Sequence, residues 1–146
     1  MIALVQRVSR AQVTIAAQVQ GRIQRGLLVF VCAEPDDRDE HAARLVDKLL
    51  KLRVFSDDAG KMSRSVQDVQ GGLLIISQFT LAADTTGGNR PSFSGAAPPA
   101  LGRALYETVL RVARERHPSV QAGEFGADMQ VELVNDGPVT IVLRIA

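Results

Sequence analysis

Leu73-Leu74-Ile75-Ile76-Ser77-Gln78-Phe79-Thr80-Leu81 is the stretch whose reading decides the fold. Four aliphatic residues in succession leave no polar face, so residues 73–79 read as a strand in the interior of a sheet, covered on both sides. Ser77, Gln78 and Thr80 follow at once and place two hydroxyls and a carboxamide where the strand leaves the sheet. That is a position at which a crevice can open.

Downstream, residues 82–97 hold Thr85-Thr86-Gly87-Gly88-Asn89-Arg90-Pro91-Ser92-Phe93 without periodicity. This exceeds the usual connection length and marks a candidate lid or binding loop, with a plain connector as the alternative. Pro98-Pro99 opens a helix striped by Leu101, Leu105, Val109, Val112 and Ala113, and His117-Pro118 closes it. Three strand-like runs follow, Val120–Phe125, Met129–Val134 and Val139–Ile145. Asn135-Asp136-Gly137-Pro138 separates the last two.

Upstream, Ile2–Ile15 and Val19–Ile23 read as a hairpin, and Gly26 starts the apolar run Leu27–Ala33, a second interior strand. Asp36 or Asp37 is expected to cap a helix whose apolar positions are Ala42, Leu45, Val46, Leu49 and Leu50. A short strand at Leu52–Phe55 precedes the turn-rich Ser56–Lys61, and Lys61-Met62-Ser63 could face solvent or substrate. Two helices cannot sandwich a long doubly wound sheet. We therefore expect a mixed α/β fold, a single domain over residues 1–146, with a curved, barrel-like mixed sheet and two main helices packed against it.

A chain of 146 residues can bury roughly two thirds of its unfolded surface in one core. Hydrophobic residues at 46% and charged residues at 23% exclude a disordered chain. No segment approaches the ~18 apolar residues of a membrane span, so a soluble, cytoplasmic protein without membrane contact is expected. The net charge of +1 makes no case for nucleic-acid binding by itself, although Lys48-Lys51-Arg53 and Arg111-Arg114-Arg116 are local basic clusters. A partner touched only at one RNA end needs few phosphate contacts. Solvated helix faces explain both clusters unless they flank the site.

Cys32 is the single cysteine, which excludes an intrachain disulfide and a cysteine-based metal site. Among Val29, Phe30, Val31 and Ala33 it reads as a packed, inert thiol. His41 and His117 fall at a helix start and a helix end, where a solvated or dipole-complementing role suffices. Ser77 or Thr80 would be a nucleophile only with a base in reach, and neither histidine is well placed. No Gly-x-Ser-x-Gly, phosphate-binding Gly-Lys-Ser/Thr, His-Glu-x-x-His or Gly-x-Gly-x-x-Gly motif is present. What remains is catalysis by positioning, in which hydroxyl, amide and backbone groups orient a reactive substrate.

Ser77-Gln78-Phe79-Thr80-Leu81 and Asn135-Asp136-Gly137-Pro138-Val139-Thr140 together resemble the signature pair of the D-aminoacyl-tRNA deacylases. Gln6-Arg7-Val8, Asp57-Asp58-Ala59-Gly60-Lys61-Met62 and Gly88-Asn89-Arg90-Pro91-Ser92-Phe93 fit the same family in order and spacing. The resemblance implies hydrolysis of the ester of D-aminoacyl-tRNA by a homodimer. In it, Gly137-Pro138 of one subunit, with Pro138 cis, enters the partner's site beside Ser77–Thr80. It assigns Ser77, Gln78 and Thr80 to catalysis and Phe79, Gly137 and Pro138 to substrate binding, with Phe79 by the adenine. The sequence holds no dedicated ligand cluster, so no metal and no cofactor are expected. A backbone wall that collides with an L side chain spares glycine, so glycyl-tRNA is an expected second substrate. Thr85-Thr86-Gly87-Gly88 departs from the Lys-rich stretch frequent in the family and leaves fewer cations there. A non-catalytic RNA-end or nucleotide-binding module, or a hydrolase of another acyl ester, are the competing readings.

Overall fold

The hairpin at the start of the chain seeds the sheet. In the computed structural model, which describes residues 1–146, β1 (Ile2–Ile15) and β2 (Gln18–Ile23) pair antiparallel through a two-residue turn. Both turn residues, Ala16 and Ala17, have positive φ. Such a turn matches the right-handed twist of the flanking strands, here without the Asn-Gly pair that would announce it.

β1 is long enough to serve three neighbours. Its first half pairs antiparallel with β3 (Gly26–Cys32), its second half with β2, and its other edge along nearly its whole length with β8 (Gln130–Arg144). β6 (Gly72–Ser77) lies parallel to β3, and β7 (Val120–Ala122) parallel to β6. The sheet curls until β2 meets β7: a Cβ on Gly21 would stand 3.0 Å from the carbonyl oxygen of Ala122. The curved, barrel-like mixed sheet expected from the sequence is thus the one observed.

β3 and β6 are apolar on both faces because both faces are covered. Leu27, Val29, Leu73 and Ile75 pack under α1 (Asp39–Lys51) and α2 (Pro99–Arg116). Leu28, Leu74 and Ile76 point the other way and meet Val8, Ala11, Val13 and Ile23 inside the curl. Full burial of each such side chain is worth about 1.5–3 kcal/mol. With two apolar faces, alternation cannot set the register of β6 on β3. A backbone contact does: Gly26 faces Gly72 so closely that a Cβ on Gly26 would lie 2.0 Å from the Gly72 oxygen.

Several boundaries differ from expectation, each for a local reason. The central strand stops at Ser77, and Phe79–Ala82 turn as one 3-10 helix. Leu52 is the C-cap of α1, while β4 (Phe55–Ser56) pairs with β5 (Met62–Arg64) in a separate small sheet. Met62 is exposed there, and the Ser63 hydroxyl donates to Asp57. The helix cap is neither Asp36 nor Asp37 but Arg38, whose N–H is accepted by His41 Nδ1 at 2.9 Å. Asp37 instead accepts the Glu34 N–H at 2.7 Å and pairs with the Met1 ammonium. His117 is buried, not solvated, with Nε2 2.7 Å from the Gly71 oxygen. The strand expected over Val120–Phe125 ends at Ala122. The last two expected strands form one continuous element, β8, with Asn135–Pro138 inside it.

Candidate functional site

β6 delivers Ser77, half-buried, to the sheet's edge, and one further hydrogen bond carries the chain past the strand. Gln78 N–H donates to the Val31 oxygen at 2.8 Å, holding residue 78 beside β3 before the backbone turns. The 3-10 turn then closes with Leu81 N–H on Gln78 O and Ala83 N–H on Thr80 O. Across this turn the Gln78 Nε2 donates to Thr80 Oγ1. The Thr80 hydroxyl therefore has an acceptor role already assigned and keeps its own proton for another partner. Neither histidine bonds to it or to Ser77, since His41 serves the α1 cap and His117 serves Gly71.

The same turn lifts Phe79 into solvent, 56% exposed. Phe93, from the loop between the turn and α2, packs edge-on against it with ring centroids 5.1 Å apart. That loop is shaped by a two-way backbone bridge between Asp84 and Ser92 and by Asp84 accepting from the Thr86 N–H and hydroxyl. These bonds, the hydroxyl's first, hold the Asp84 carboxyl below its ordinary range. Ala97 N–H on Ala33 O, at 2.8 Å, anchors the far end.

Phe79, Phe93 and Phe125 then line a cleft of about 400 Å³ with Ala33, Ala96, Ala97, Pro99, Gly102 and Gly126. No ionisable side chain lines it. Three of the chain's five phenylalanines meet here, which suits the face of a flat aromatic ligand. Sequence reasoning placed Phe125 in a strand and missed it. Its one local signal was the Gly123-Glu124-Phe125-Gly126 setting, a large aromatic between two glycines.

Beneath the turn lies Cys32, whose Sγ is 3.5 Å from the Phe79 oxygen. Burial, reinforced by the Glu34 charge, pushes its thiol above the ordinary range and keeps it protonated. Tyr106 ties α2 to the same strand by donating its hydroxyl to the Ile75 oxygen at 2.7 Å. Desolvation raises that phenol to about 12. Both groups therefore stay protonated near neutral pH.

Gly137 and Pro138 occupy an excursion from the β1–β8 ladder. Gln6 opposes Thr140 and Val8 opposes Asn135, so Asp136–Val139 bulge out opposite Arg7 alone. The Arg7 guanidinium spans the bulge base, donating to Asp136 O at 2.9 Å and to Val54 O at 2.7 Å. Asn135 Nδ2 donates to Arg7 O at 3.1 Å and to Val139 O at 3.0 Å. Gln6 Nε2 reaches Thr140 Oγ1 at 3.2 Å. Between these clamps Gly137 and Pro138 stand exposed, joined by a cis peptide bond, with Gly137 at φ +153°.

The structure gathers Ser77, Gln78, Phe79 and Thr80 in one corner and leaves Gly137-Pro138 elsewhere on the same chain. Ser77 is level with Val31 and hence Ala3, whereas the bulge is level with Arg7. That is four residues of rise, about 13 Å, plus three strand spacings, about 14 Å. No cluster of three or more His, Cys, Asp or Glu side chains could hold a metal ion. The basic clusters are partly neutralised, Lys51 by Asp47 and Arg111 by Glu115.

The fold is a mixed α/β barrel whose polar turn, bearing hydroxyls and amides, abuts an aromatic cleft. The D-Tyr-tRNA(Tyr) deacylase family matches residues 4–144. The D-aminoacyl-tRNA deacylase of Aromatoleum aromaticum is 66% identical over 145 residues, covering 99% of this chain and 95% of its own. That of Methylibium petroleiphilum is 68% identical with the same coverage. The solved structure of a c-Myc DNA unwinding element binding protein superposes with TM-score 0.94 at 41% identity, covering 100% of this chain and 99% of its own. A probable eukaryotic D-amino acid tRNA deacylase shares the fold, with TM-score 0.85 at 17% identity over 97% of each chain. The chain belongs to the D-Tyr-tRNA(Tyr) deacylase family and is a hydrolase.

Proposed function

We propose that the enzyme hydrolyses the ester joining a D-amino acid to the terminal ribose of tRNA, releasing free amino acid and tRNA in the cytoplasm. The observation that carries this reading is 66–68% identity to D-aminoacyl-tRNA deacylases over 99% of the chain. Water adds to the ester carbonyl, the bond from that carbon to the ribose oxygen breaks, and the ribose oxygen takes the proton that water gives up. The neighbouring 2′-hydroxyl of the substrate helps to activate the water, while Ser77, Gln78 and Thr80 orient the ester and its developing oxyanion. Phe79 lies by the adenine, where an exposed aromatic face is useful.

The wall of the site is Gly137-Pro138 of a second subunit in a homodimer. The register supports a contribution in trans, because the bulge lies three strands away from its own Ser77–Thr80 turn. Backbone carbonyls set where an L side chain would project exclude L-aminoacyl-tRNA by clash and admit both D-amino acids and glycine. One deacylation assay tests this, with D and L forms of one amino acid and glycine on their tRNAs. Release from the D and glycyl substrates alone is expected. Release from the L form would overturn the wall, and intact glycyl-tRNA would overturn selection by clash alone.

A binding module without catalysis is the second reading. It is favoured by the likeness, at 41% identity, to a DNA unwinding element binding protein and by the base-sized aromatic cleft. Free D-amino acid appearing in the same assay at a rate proportional to enzyme decides against it.

A further inference from the structure

The aromatic cleft contains no cation, yet the substrate proposed for it carries a phosphodiester on the nucleotide whose base would stack there. Any charge partner for that phosphate must come from the rim. Arg103 stands there, next to the lining residue Gly102 on the first turns of α2. Its guanidinium carbon lies 4.8 Å from the centroid of Phe125, the ring that forms one wall.

Stacking on an aromatic ring distinguishes this side chain from the other arginines of the helix. Its planar head is laid on an aromatic face, which limits the rotamers that binding would have to freeze and leaves the N–H edge free. It also enters none of the protein's ion pairs, whereas Arg111, two turns along, is engaged by Glu115 at 3.2 Å. A fixed, unpaired guanidinium beside a stacking pocket matches the chemistry of a nucleotide: base on the rings, phosphate on the fork.

We propose that Arg103 binds the phosphodiester of the 3′-terminal nucleotide of the aminoacyl-tRNA at the mouth of the Phe79–Phe93–Phe125 cleft. The contact rests on the deacylase reading and sharpens it, since it assigns the part of tRNA recognition that lies next to the reacting ester. It is made equally before and during the reaction, so it acts on KM and not on kcat.

The test compares a D-aminoacyl-tRNA with the matching D-aminoacyl-adenosine, which has no phosphate, across a salt series. Arg103→Ala is expected to raise KM for the tRNA by about five- to tenfold, with kcat within about twofold. The slope of log KM against log salt should fall by about 0.7, one single-strand phosphate contact. Arg103→Lys, which keeps the charge, should retain most of that slope. Arg111→Ala, at the far end of the helix, serves as the control for general charge loss and should leave both substrates unaffected. An equal rise in KM for tRNA and adenosine ester would assign Arg103 to packing on Phe125 and overturn the proposal. So would an unchanged salt slope. Wild-type enzyme inactive on both substrates would overturn the deacylase reading itself, a result distinguishable by that shared inactivity.

Discussion

Thr80 carries the only hydroxyl of the turn that is both exposed and held by a neighbouring side chain, through Gln78. As a positioning group it contributes about one hydrogen bond, near 1–1.5 kcal/mol, which corresponds to about a tenfold change in rate. Thr80→Ala is therefore expected to lower kcat about tenfold while leaving clear turnover. Loss of all measurable turnover in single-turnover assays would instead point to an obligatory nucleophile. Cys32 makes the opposite case, a potential nucleophile silenced by its surroundings. Its thiol is buried and pushed upward, so at pH 7 the thiolate fraction lies below that of a free cysteine. Native enzyme treated with iodoacetamide at that pH should keep its activity, with Cys32 unmodified by mass spectrometry. Rapid alkylation with inactivation would contradict the burial argument.

At the scale of elements, the informative feature is the bulge in β8. A stretch rich in turn residues such as Asn135-Asp136-Gly137-Pro138 reads in sequence as a break between strands, and both flanking runs do form strand. That both pair with the same strand, β1, depends on Arg7, 128 to 131 positions away in the chain, whose side chain and carbonyl hold the bulge base. Asn135→Ala removes two hydrogen bonds and leaves the Arg7 and Val139 carbonyls without those partners. A loss of about 1–3 kcal/mol in urea unfolding is expected, with deacylation falling further than stability if Gly137-Pro138 is the wall proposed above. Unchanged stability and activity would show that the clamp does not shape the bulge. The turn after β6 was less legible, because Phe79 and Thr80 fit a strand by composition. Only the Val31–Gln78 bond and the pull of the following loop show where the chain leaves the sheet.

At the scale of the whole molecule, the proposed floor, Ser77–Thr80, and the proposed wall, Gly137-Pro138, lie on one chain but far apart in the sheet, and this makes a test of assembly possible. Consider a floor variant, Ser77→Ala with Thr80→Ala, and a wall variant, Gly137→Ala, whose new Cβ would lie 2.5 Å from the Val139 nitrogen at a φ that disfavours side chains. Mixed after unfolding and refolded together, the two should regain about a quarter of wild-type activity under the proposed homodimer, in which half of random dimers are mixed and each holds one intact site. Absence of any recovery above the two separate variants would mean that the wall acts within its own subunit.

Local chemistry in the chain was enough to define the apolar interior strands, the two helices and the polar exit of β6, because burial on two faces, helical spacing and turn residues are properties of neighbours in sequence. The five ordered motifs were likewise enough to place the chain in its family. Tertiary structure alone decided that Phe125 joins Phe79 and Phe93 across 46 residues, that Arg103 rests on that ring, and that His117 is buried against Gly71. It also decided that Gly137-Pro138 stands three strands from Ser77–Thr80. Those relations come from how strands of different origin are ordered and registered in one curled sheet, and residue-by-residue propensities carry no record of that order.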